Sequence, residues 1–275
     1  MKVQLAGVSE TLLVPFYARV YGSQHYSKQF YDRIVLEVFP KIDYDFSAFT
    51  KGKMSIWGCL ARSIILDREI KKFLEVYPDA KCINLACGFD TRFYRLDNGK
   101  IQWIEFDFPE VIALRKQIFP VNERVFSLVG NVLEEKIYEN IKEVRENVLI
   151  ILEGLLIYFT EQQVRELFQV LQRNFPKATI FAEFSRPFTV KHQKYHDTVH
   201  ETMAKFQWGI QNSKEIEKIC PSVQFLEEWN LTEEMLPFSP CKMFLLAPFL
   251  RKVNNSIVKL QFRSLRGAKA SSSQF

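Results

Sequence analysis

The chain has 275 residues, of which 47% are hydrophobic and 14% aromatic, so it can bury a sizeable core and is not a disordered protein. Its net charge of +5 comes from residues 251–275, which carry six basic and no acidic side chains and leave 31 basic and 32 acidic ones elsewhere. This near-neutral body argues against a nucleic-acid-binding surface. We interpret residues 251–275 as a basic, flexible tail.

The cysteines and the apolar runs of the sequence indicate in which cellular compartment the protein is expected. The five cysteines form no CxxC pair and are odd in number, which favours free thiols in a reducing environment. The apolar run Leu12–Phe16 is short, and no small-residue cleavage site follows it. The sequence also contains no run of 18 apolar residues, the length that could cross a membrane. We therefore expect a cytoplasmic protein with no secretory signal and no membrane partner.

Residues 1–80 are predicted to form a helical lid. Apolar side chains recur at spacings of three and four over Tyr26–Phe39 and Cys59–Tyr77, and no strand pattern precedes residue 82. The many aromatic side chains of this segment permit two interpretations. They could cover an apolar substrate pocket, or they could simply pack the lid against the main domain, which we favour.

Strands and helices alternate after residue 81. Five apolar runs are predicted as strands: Cys82–Ala86, Ile101–Phe106, Val125–Val129, Val148–Leu152 and Ala178–Phe184. Helices are predicted between them, over Pro109–Phe119, Glu134–Val144 and Thr160–Asn174. Gln163 follows Thr160 by three residues, the pattern of a capping box. Continuously apolar strands alternating with helices indicate an α/β fold with a parallel sheet covered on both faces.

The remainder of the main domain, residues 81–250, is predicted to hold an insertion and two more strands. Residues 185–222 interrupt the alternation, and we interpret them as a helical insertion over the active site. Val223–Trp229 and Lys242–Ala247 are predicted as a hairpin-like pair of strands joined by the turn Pro237–Pro240. The sheet would then have seven strands.

The first strand-to-helix turn, Asn84–Thr91, is the expected ligand site, because ligands of open parallel sheets bind beyond the carboxyl ends of the strands. Gly88 permits a close backbone approach to a ligand. Asp107 ends the second strand 19 residues later, the spacing of a carboxylate that accepts the ribose hydroxyls of a nucleoside.

That spacing also fits a dinucleotide enzyme, so the composition of the turn decides between cofactors. A pyrophosphate requires a G-x-G-x-x-G turn that opens a helix N-terminus onto its charge. This turn has one glycine, and Asp90 follows it. A carboxylate there would repel a pyrophosphate but suits a sulfonium and an amino group. The turn therefore favours S-adenosylmethionine (SAM) over NAD.

Three motifs resemble those of the leucine carboxyl methyltransferases and the tetracenomycin-type polyketide carboxyl O-methyltransferases. They are Asn84–Leu96, Trp103–Arg115 and Ile151–Thr160, and the similarity runs from about Arg62 to about Trp229. The polyketide branch is the more similar of the two. The resemblance implies a Rossmann-like, seven-stranded class I methyltransferase sheet with an N-terminal helical lid and a helical insertion. It also implies SAM as cofactor and S-adenosylhomocysteine (SAH) as product.

The resemblance implies roles for particular residues. Gly88 and its neighbours would cradle the methionyl part of SAM, and Asp107 would hold the ribose. Asn131 and Val132 would meet the adenine, and Glu153 would bind the ammonium group or a loop that does. The other residues expected around SAM are Arg62, Asn84, Ala86, Cys87, Phe108 and Gly154. The family commonly has Asp at position 131, so we expect weaker cofactor affinity, although the Asn carbonyl can still accept a hydrogen bond.

A carboxylate acceptor would need no general base, because it is already ionised at neutral pH, with a reference pKa near 4. The enzyme would instead desolvate it and align it with the methyl group. Tyr158 could hydrogen-bond the acceptor, or it could be a packed aromatic side chain at the rim. Arg62 or Arg186 could pair with the acceptor carboxylate.

The function expected from these features is SAM-dependent O-methylation of the carboxylate of a small acid, polyketide-like or aromatic. Methylation of a protein C-terminal carboxylate and SAM binding without turnover remain alternatives. Neither a nucleic-acid partner nor an oligomeric state is indicated.

Three histidines have the spacing of a possible metal site. His192, His196 and His200 are spaced at i, i+4 and i+8, which would place them on one helix face. All three cannot reach one ion, because eight residues of helix span about 12 Å. We favour a polar helix face and predict no metal.

Overall fold

A seven-stranded mixed sheet forms the centre of the computed structural model, which describes residues 11–141, 146–193, 205–240 and 243–263. The strands are β1 (Lys81–Leu85), β2 (Gln102–Asp107), β3 (Val125–Val129), β4 (Val148–Leu152), β5 (Thr179–Phe184), β6 (Val223–Asn230) and β7 (Ser256–Phe262). Their order is β3-β2-β1-β4-β5-β7-β6. Strands β1 to β5 pair in parallel, whereas β7 pairs antiparallel with both β5 and β6. The prediction of a seven-stranded α/β sheet is confirmed.

Ten α-helices surround the sheet in the described part of the chain. They are α1 (Leu13–His25), α2 (Arg33–Val38), α3 (Lys53–Val76), α4 (Arg92–Leu96), α5 (Pro109–Ile118), α6 (Glu161–Asn174), α7 (Pro187–Lys191), α8 (Ile216–Ile219), α9 (Thr232–Met235) and α10 (Met243–Val253). Helices α1, α2 and α3 precede the first strand, as predicted. Helix α2 is shorter than the predicted segment, because Asp32 caps it by accepting a hydrogen bond from the Val35 amide (3.0 Å).

The sheet is covered on both faces, as continuously apolar strands require. Ile83 and Leu85 of β1 pack into the cluster that includes α6, whereas Cys82 packs into the cluster that includes α3. All five residues of β4 are buried. Such a strand can lie only at the centre of a sheet with helices on both sides.

The capping box at the start of α6 is confirmed. The Thr160 hydroxyl accepts from the Gln163 amide (3.2 Å), and the Gln163 side chain accepts from the Thr160 amide (2.9 Å). Helix α6 begins directly after β4 and its connecting turn. The cap therefore helps to determine where the residues after β4 leave the sheet.

The C-terminal elements differ from the prediction. Lys242–Ala247 is predicted as a strand, but Met243–Val253 is helix α10. The last strand is instead β7, within the segment interpreted as a flexible tail. The reason is that a short apolar run such as Met243–Ala247 suits a strand or a buried helix equally well. In β7 the apolar residues Ile257, Val258, Leu260 and Phe262 are buried, which the basic composition of the tail obscured.

In their described residues, the insertion and the connection after β3 are less helical than predicted. Between 185 and 222 the described residues contain the short helices α7 and α8, and residues 194–204 lie outside the described part. After β3 the chain forms a 3₁₀ helix over Glu135–Ile141 in place of an α-helix. No helix of the described residues is long and apolar enough to cross a membrane.

Candidate cofactor and active site

A cavity of about 890 Å³ lies where the strand order reverses, at the carboxyl ends of β1 and β4. This is the position expected for a ligand in an open parallel sheet. The lining brings together the predicted residues Arg62, Asn84, Ala86, Cys87, Gly88, Asp107, Phe108, Asn131, Val132, Glu153, Gly154 and Tyr158. Residues of α1 and α3 close the cavity from the lid side, among them Val14, Pro15 and Cys59.

The turn after β1 is tied to the end of β2. Gly88 has a φ of 48°, and a Cβ at this position would lie 3.0 Å from Leu12 Cβ, so glycine suits it for two reasons. The Gly88 amide donates to Asp107 Oδ2 (2.7 Å), and the Phe108 amide donates to Asp107 Oδ1 (2.8 Å). Burial raises the pKa of Asp107, and these two hydrogen bonds oppose the increase.

Two buried arginines hold the carbonyl groups of the same turn. Arg115 Nη1 donates to Gly88 O (2.7 Å) and to Asp90 O (2.9 Å), while its Nε donates to Glu105 Oε2 (2.9 Å). Arg19 of α1 donates from Nη2 to Phe89 O (2.7 Å). The turn is therefore shaped by charged groups from α1 and α5 as well as by its own glycine.

The Asp90 carboxylate accepts its hydrogen bonds from neighbouring residues of the protein. It accepts from Asn84 Nδ2 (2.9 Å), from the Arg92 amide (3.0 Å) and from Arg92 Nη1 (2.6 Å). Burial opposes its ionisation, but Arg92, Arg19 and Arg95 outweigh burial and hold the pKa of Asp90 well below its usual range. The carboxylate that argued against a pyrophosphate site thus also holds the side chain of Asn84 and the backbone and side chain of Arg92 in place.

Glu153, at the end of β4, lies between two arginines. Its Oε1 is 2.8 Å from Arg62 Nε, and its Oε2 accepts from Arg92 Nη2 (2.7 Å). Arg62 Nη1 also donates to Glu183 Oε2 (2.7 Å), which accepts from the Gly154 amide as well (3.0 Å). Burial opposes ionisation of Glu153, whereas Arg92 and Arg62 lower its pKa. Arg62 therefore bridges two carboxylates, and its charge is balanced within the wall of the cavity.

The connection after β3 forms a separate part of the lining. Asn131 Oδ1 accepts from the Leu133 amide (3.1 Å), and Val132 O accepts from the Tyr138 hydroxyl (2.8 Å). Phe108 is 45% exposed and lines the cavity. Burial raises the pKa of the Cys87 thiol well above its usual value, so Cys87 is a small neutral residue of the turn.

The side of the cavity formed by the insertion and the late helices is largely apolar. It includes Ile157, Phe159, Phe188, Leu231, Met235, Phe249 and Leu250. Tyr158 donates to Thr11 Oγ1 (3.1 Å), and burial raises its pKa, so its hydroxyl is protonated at neutral pH. His192 also lines this side, with Nδ1 2.8 Å from Phe188 O. Arg186 is not part of the described lining, because its Nη2 donates to Glu228 Oε1 (2.6 Å).

Sequence comparisons identify the family. A model of the leucine carboxyl methyltransferases matches residues 30–172. The tetracenomycin polyketide synthesis O-methyltransferase TcmP of Streptomyces glaucescens is 31% identical over 232 residues, which are 84% of this chain and 86% of TcmP. The chain belongs to the leucine carboxyl methyltransferase family. It is a SAM-dependent methyltransferase, and the family resemblance of the three motifs is confirmed.

Two further similarities concern a second relative and the fold. The SAM-dependent methyltransferase dpfgK of Gibberella zeae is 28% identical over 248 residues, which are 82% of this methyltransferase and 83% of dpfgK. The crystal structure of a candidate methyltransferase from Thermobifida fusca superposes with a TM-score of 0.57 at 13% identity, covering 90% of this chain and 94% of that one. At that identity the superposition shows the shared fold alone.

The charges of the cavity fit SAM. Its described lining contains two arginines, Arg19 and Arg62, and four carboxylates, Asp90, Asp107, Glu153 and Glu183, a formal charge of −2. SAM carries a sulfonium, an ammonium and a carboxylate, and is a cation at neutral pH. Arg19 Nε is a buried donor with no hydrogen-bond partner among the described residues. The lining therefore offers negative charge for the cationic groups and a donor for the anionic one.

The aromatic residues of the lid pack against the main domain. Phe16 contacts the ring of Phe89 edge-on (5.6 Å between centroids), and Tyr17 stacks on Phe46 (5.3 Å). Of these four side chains, only Phe89 belongs to the described lining of the cavity. The packing interpretation of the lid aromatics is thus supported.

Sequence reasoning missed Arg19 and Glu183. Each is a charged residue within an otherwise apolar segment, Phe16–Val20 and Thr179–Phe184, and that interruption was the available signal. Within the described ranges no three His, Cys, Asp or Glu side chains are grouped to hold a metal, and His196 and His200 lie outside those ranges.

Proposed function

We propose that this methyltransferase methylates a carboxylate oxygen of a small, apolar acid, polyketide-like or aromatic. The supporting observation is that all four carboxylates of the described lining already accept hydrogen bonds from the protein, at the cofactor side of the cavity. None of them is available as a general base beside Tyr158. A hydroxyl acceptor would need such a base, whereas a carboxylic acid is ionised at neutral pH.

The cofactor residues take the following roles in this proposal. The turn at Gly88 holds the methionyl part, and Asp107 accepts from the ribose hydroxyls with its remaining lone pairs. Asn131 and Val132 face the adenine. When bound, SAM supplies an electrophilic methyl carbon. Glu153 and Gly154 form the wall of the cavity beside the methionyl group, with Arg62 between them and Glu183.

At the acceptor side, the residues act by positioning and by excluding water. In the structure the Tyr158 hydroxyl donates its one proton to Thr11 Oγ1. When the acceptor binds, this hydroxyl turns to donate to one acceptor oxygen and leaves the other free to react. The apolar residues around it remove water from the carboxylate, which raises its reactivity. Arg62 is a positioning residue for Glu153 and Glu183. Its removal would leave both carboxylates unpaired, so Arg62→Ala should lower the free energy of unfolding as well as turnover.

Methylation of a protein C-terminal carboxylate remains the alternative to a small-molecule acceptor. The apolar side of the cavity supports a small apolar acceptor over a peptide, whose backbone amides would need polar partners there. The preference for a small apolar acceptor rests on the apolar lining that includes Phe188, Phe249 and Leu250.

The test uses SAM labelled at its methyl group and three groups of acceptors: aromatic carboxylic acids, the corresponding phenols, and a peptide ending in leucine. The proposal predicts transfer to the acids, and label that mild base releases as methanol, because methyl esters hydrolyse and aryl ethers do not. Transfer to phenols with base-stable label would contradict it, as would transfer to the peptide alone.

A further inference from the structure

Helix α10 presents apolar side chains to solvent as well as to the rest of the protein. Ala247 and Leu250 are buried on its inner side. Four apolar side chains on its outer side are each more than half exposed, namely Phe244, Leu245, Leu246 and Phe249. Elsewhere in the described residues, exposed large apolar side chains occur singly or in pairs along the chain. A helix that is apolar all round is typical of one covered on every side, so the outer side of α10 suits a second apolar partner.

The exposed side of α10 continues into the wall of the cavity. Phe249 lines the cavity, and its ring contacts that of Phe188 in α7 edge-on, with 6.3 Å between the centroids. Phe188 also lines the cavity and is 43% exposed. We call the five side chains Phe188, Phe244, Leu245, Leu246 and Phe249 the rim patch. A partner that covers the rim patch therefore lies beside the apolar side of the cavity.

The charged residues of the two helices that form the rim patch are all basic. Helix α7 contains Lys191, and α10 contains Arg251 and Lys252, with no acidic residue in either helix. Arg251 pairs with Glu233 of α9 (2.6 Å), whereas Lys191 and Lys252 are exposed and pair with no carboxylate of the described residues. A second copy of the chain would bring these cations together, because a two-fold contact places the same surface of both copies face to face. An anionic surface complements them.

We propose that the rim patch docks this methyltransferase on a lipid bilayer with anionic headgroups. A helix of 11 residues is too short to cross a bilayer, but it can lie in the interface with its apolar side chains among the acyl chains and its lysine at the headgroups. The sequence predicted no membrane partner because no segment could span a bilayer, and a helix on the bilayer surface needs no such segment.

The docked orientation would also serve the acceptor. Phe188 and Phe249 belong both to the rim patch and to the cavity lining, so the apolar side of the cavity would lie next to the acyl chains. A small apolar acid partitions into a bilayer and could pass from there into the cavity. This step alone rests on the proposed function, since the docking itself requires no particular acceptor.

The test measures co-sedimentation of the full chain with vesicles of phosphatidylcholine, with and without phosphatidylglycerol. We expect the wild type to bind the vesicles that contain phosphatidylglycerol, and to bind them less as salt is added. Leu245→Glu should weaken this binding about tenfold or more, the effect of one leucine that is no longer buried. Val121→Glu, at a 95% exposed valine before β3, is the matched control and should bind as the wild type does. Lys252→Glu should weaken binding only to vesicles with phosphatidylglycerol.

Failure of the wild type to bind vesicles with phosphatidylglycerol would overturn the proposal. Equal binding by Leu245→Glu and the wild type would overturn it too, since another surface would then contact the lipid. A dimer in sedimentation velocity that Leu245→Glu abolishes, without vesicle binding, would assign the rim patch to a second copy instead. Circular dichroism and SAH affinity check the fold of Leu245→Glu, and Phe244→Gln decides if it does not fold. Failure to methylate acids would contradict the proposed function and leave the docking standing, because vesicle binding is measured without an acceptor.

Discussion

The Gly88 amide donates a hydrogen bond to Asp107 Oδ2 at 2.7 Å, so the turn after β1 and the end of β2 form one unit. The two residues are 19 positions apart in the chain and adjacent in the sheet because β1 and β2 pair in parallel. This unit places a carboxylate and a glycine with a left-handed backbone conformation at the same edge of the cavity. Substitutions at either residue should therefore affect cofactor binding.

Asp107→Asn should weaken SAH binding by about 10–100-fold, because an amide cannot accept from the ribose and from the Gly88 amide as a carboxylate does. Calorimetry at neutral pH measures this. Glu110→Gln, an exposed carboxylate three residues later, is the matched control and should bind SAH as the wild type does. Equal affinities of the Asp107→Asn and wild-type proteins would remove Asp107 from the cofactor site.

The affinity for SAH should depend on the protonation of Asp107. Burial raises the pKa of Asp107, so its carboxylate protonates at a higher pH than an ordinary aspartate with a pKa near 4. Affinity should be full at neutral pH and fall as the pH decreases through this raised pKa. Calorimetry between pH 7 and pH 4 should show the decrease in the wild type and a flatter profile in Asp107→Asn. Parallel profiles would contradict the assignment.

Gly88→Ala should reduce both stability and cofactor affinity. An alanine with a φ of 48° costs about 1–2 kcal/mol, and its Cβ would lie 3.0 Å from Leu12 Cβ. Gly99→Ala is the control, because Gly99 has a φ of 80° and a Cβ added there would meet nothing within 4 Å. Urea unfolding should show a loss for both variants, and SAH affinity should fall for Gly88→Ala alone. The same affinity in both variants would count against a special role of Gly88.

Arg92→Met should destabilise the fold strongly, by about 3–5 kcal/mol, because Asp67, Asp90 and Glu153 would lose the buried cation they share. Arg173→Met removes an exposed arginine paired with Glu135 and should cost at most about 1 kcal/mol. Denaturant unfolding of the two variants measures the difference. Similar small losses would show that the buried ion pairs contribute little.

Leu260→Ala should lower the free energy of unfolding by about 2–5 kcal/mol, because Leu260 is fully buried in β7 between β5 and β6. Gln261→Ala, an exposed position of the same strand, should have little effect. Thermal and urea unfolding compare them. A negligible loss for Leu260→Ala would mean that residues 256–262 are the flexible tail that their composition suggested.

The sheet was predictable up to β6, and the prediction failed at β7 for a physical reason. Strands such as Val148–Leu152 are apolar throughout, since both faces are buried, and their alternation with helices leaves few topologies. Strand β7 contains Lys259 and Gln261 and lies in a basic segment, so its sequence resembles a solvated end. The run before it, Met243–Ala247, suits a helix and a strand equally well.

The sequence by itself determined that Gly88 and Asp107 lie at one edge of the sheet, because they lie at the carboxyl ends of consecutive parallel strands, which must meet. It also determined the family, through motifs that lie within short stretches of chain. Only the tertiary structure decided which charges face the cavity. Arg19 and Phe89 are 70 residues apart, and Arg62 and Glu183 are 121 apart. No local pattern encodes such pairings, because they arise when the lid helices pack across the ends of the strands.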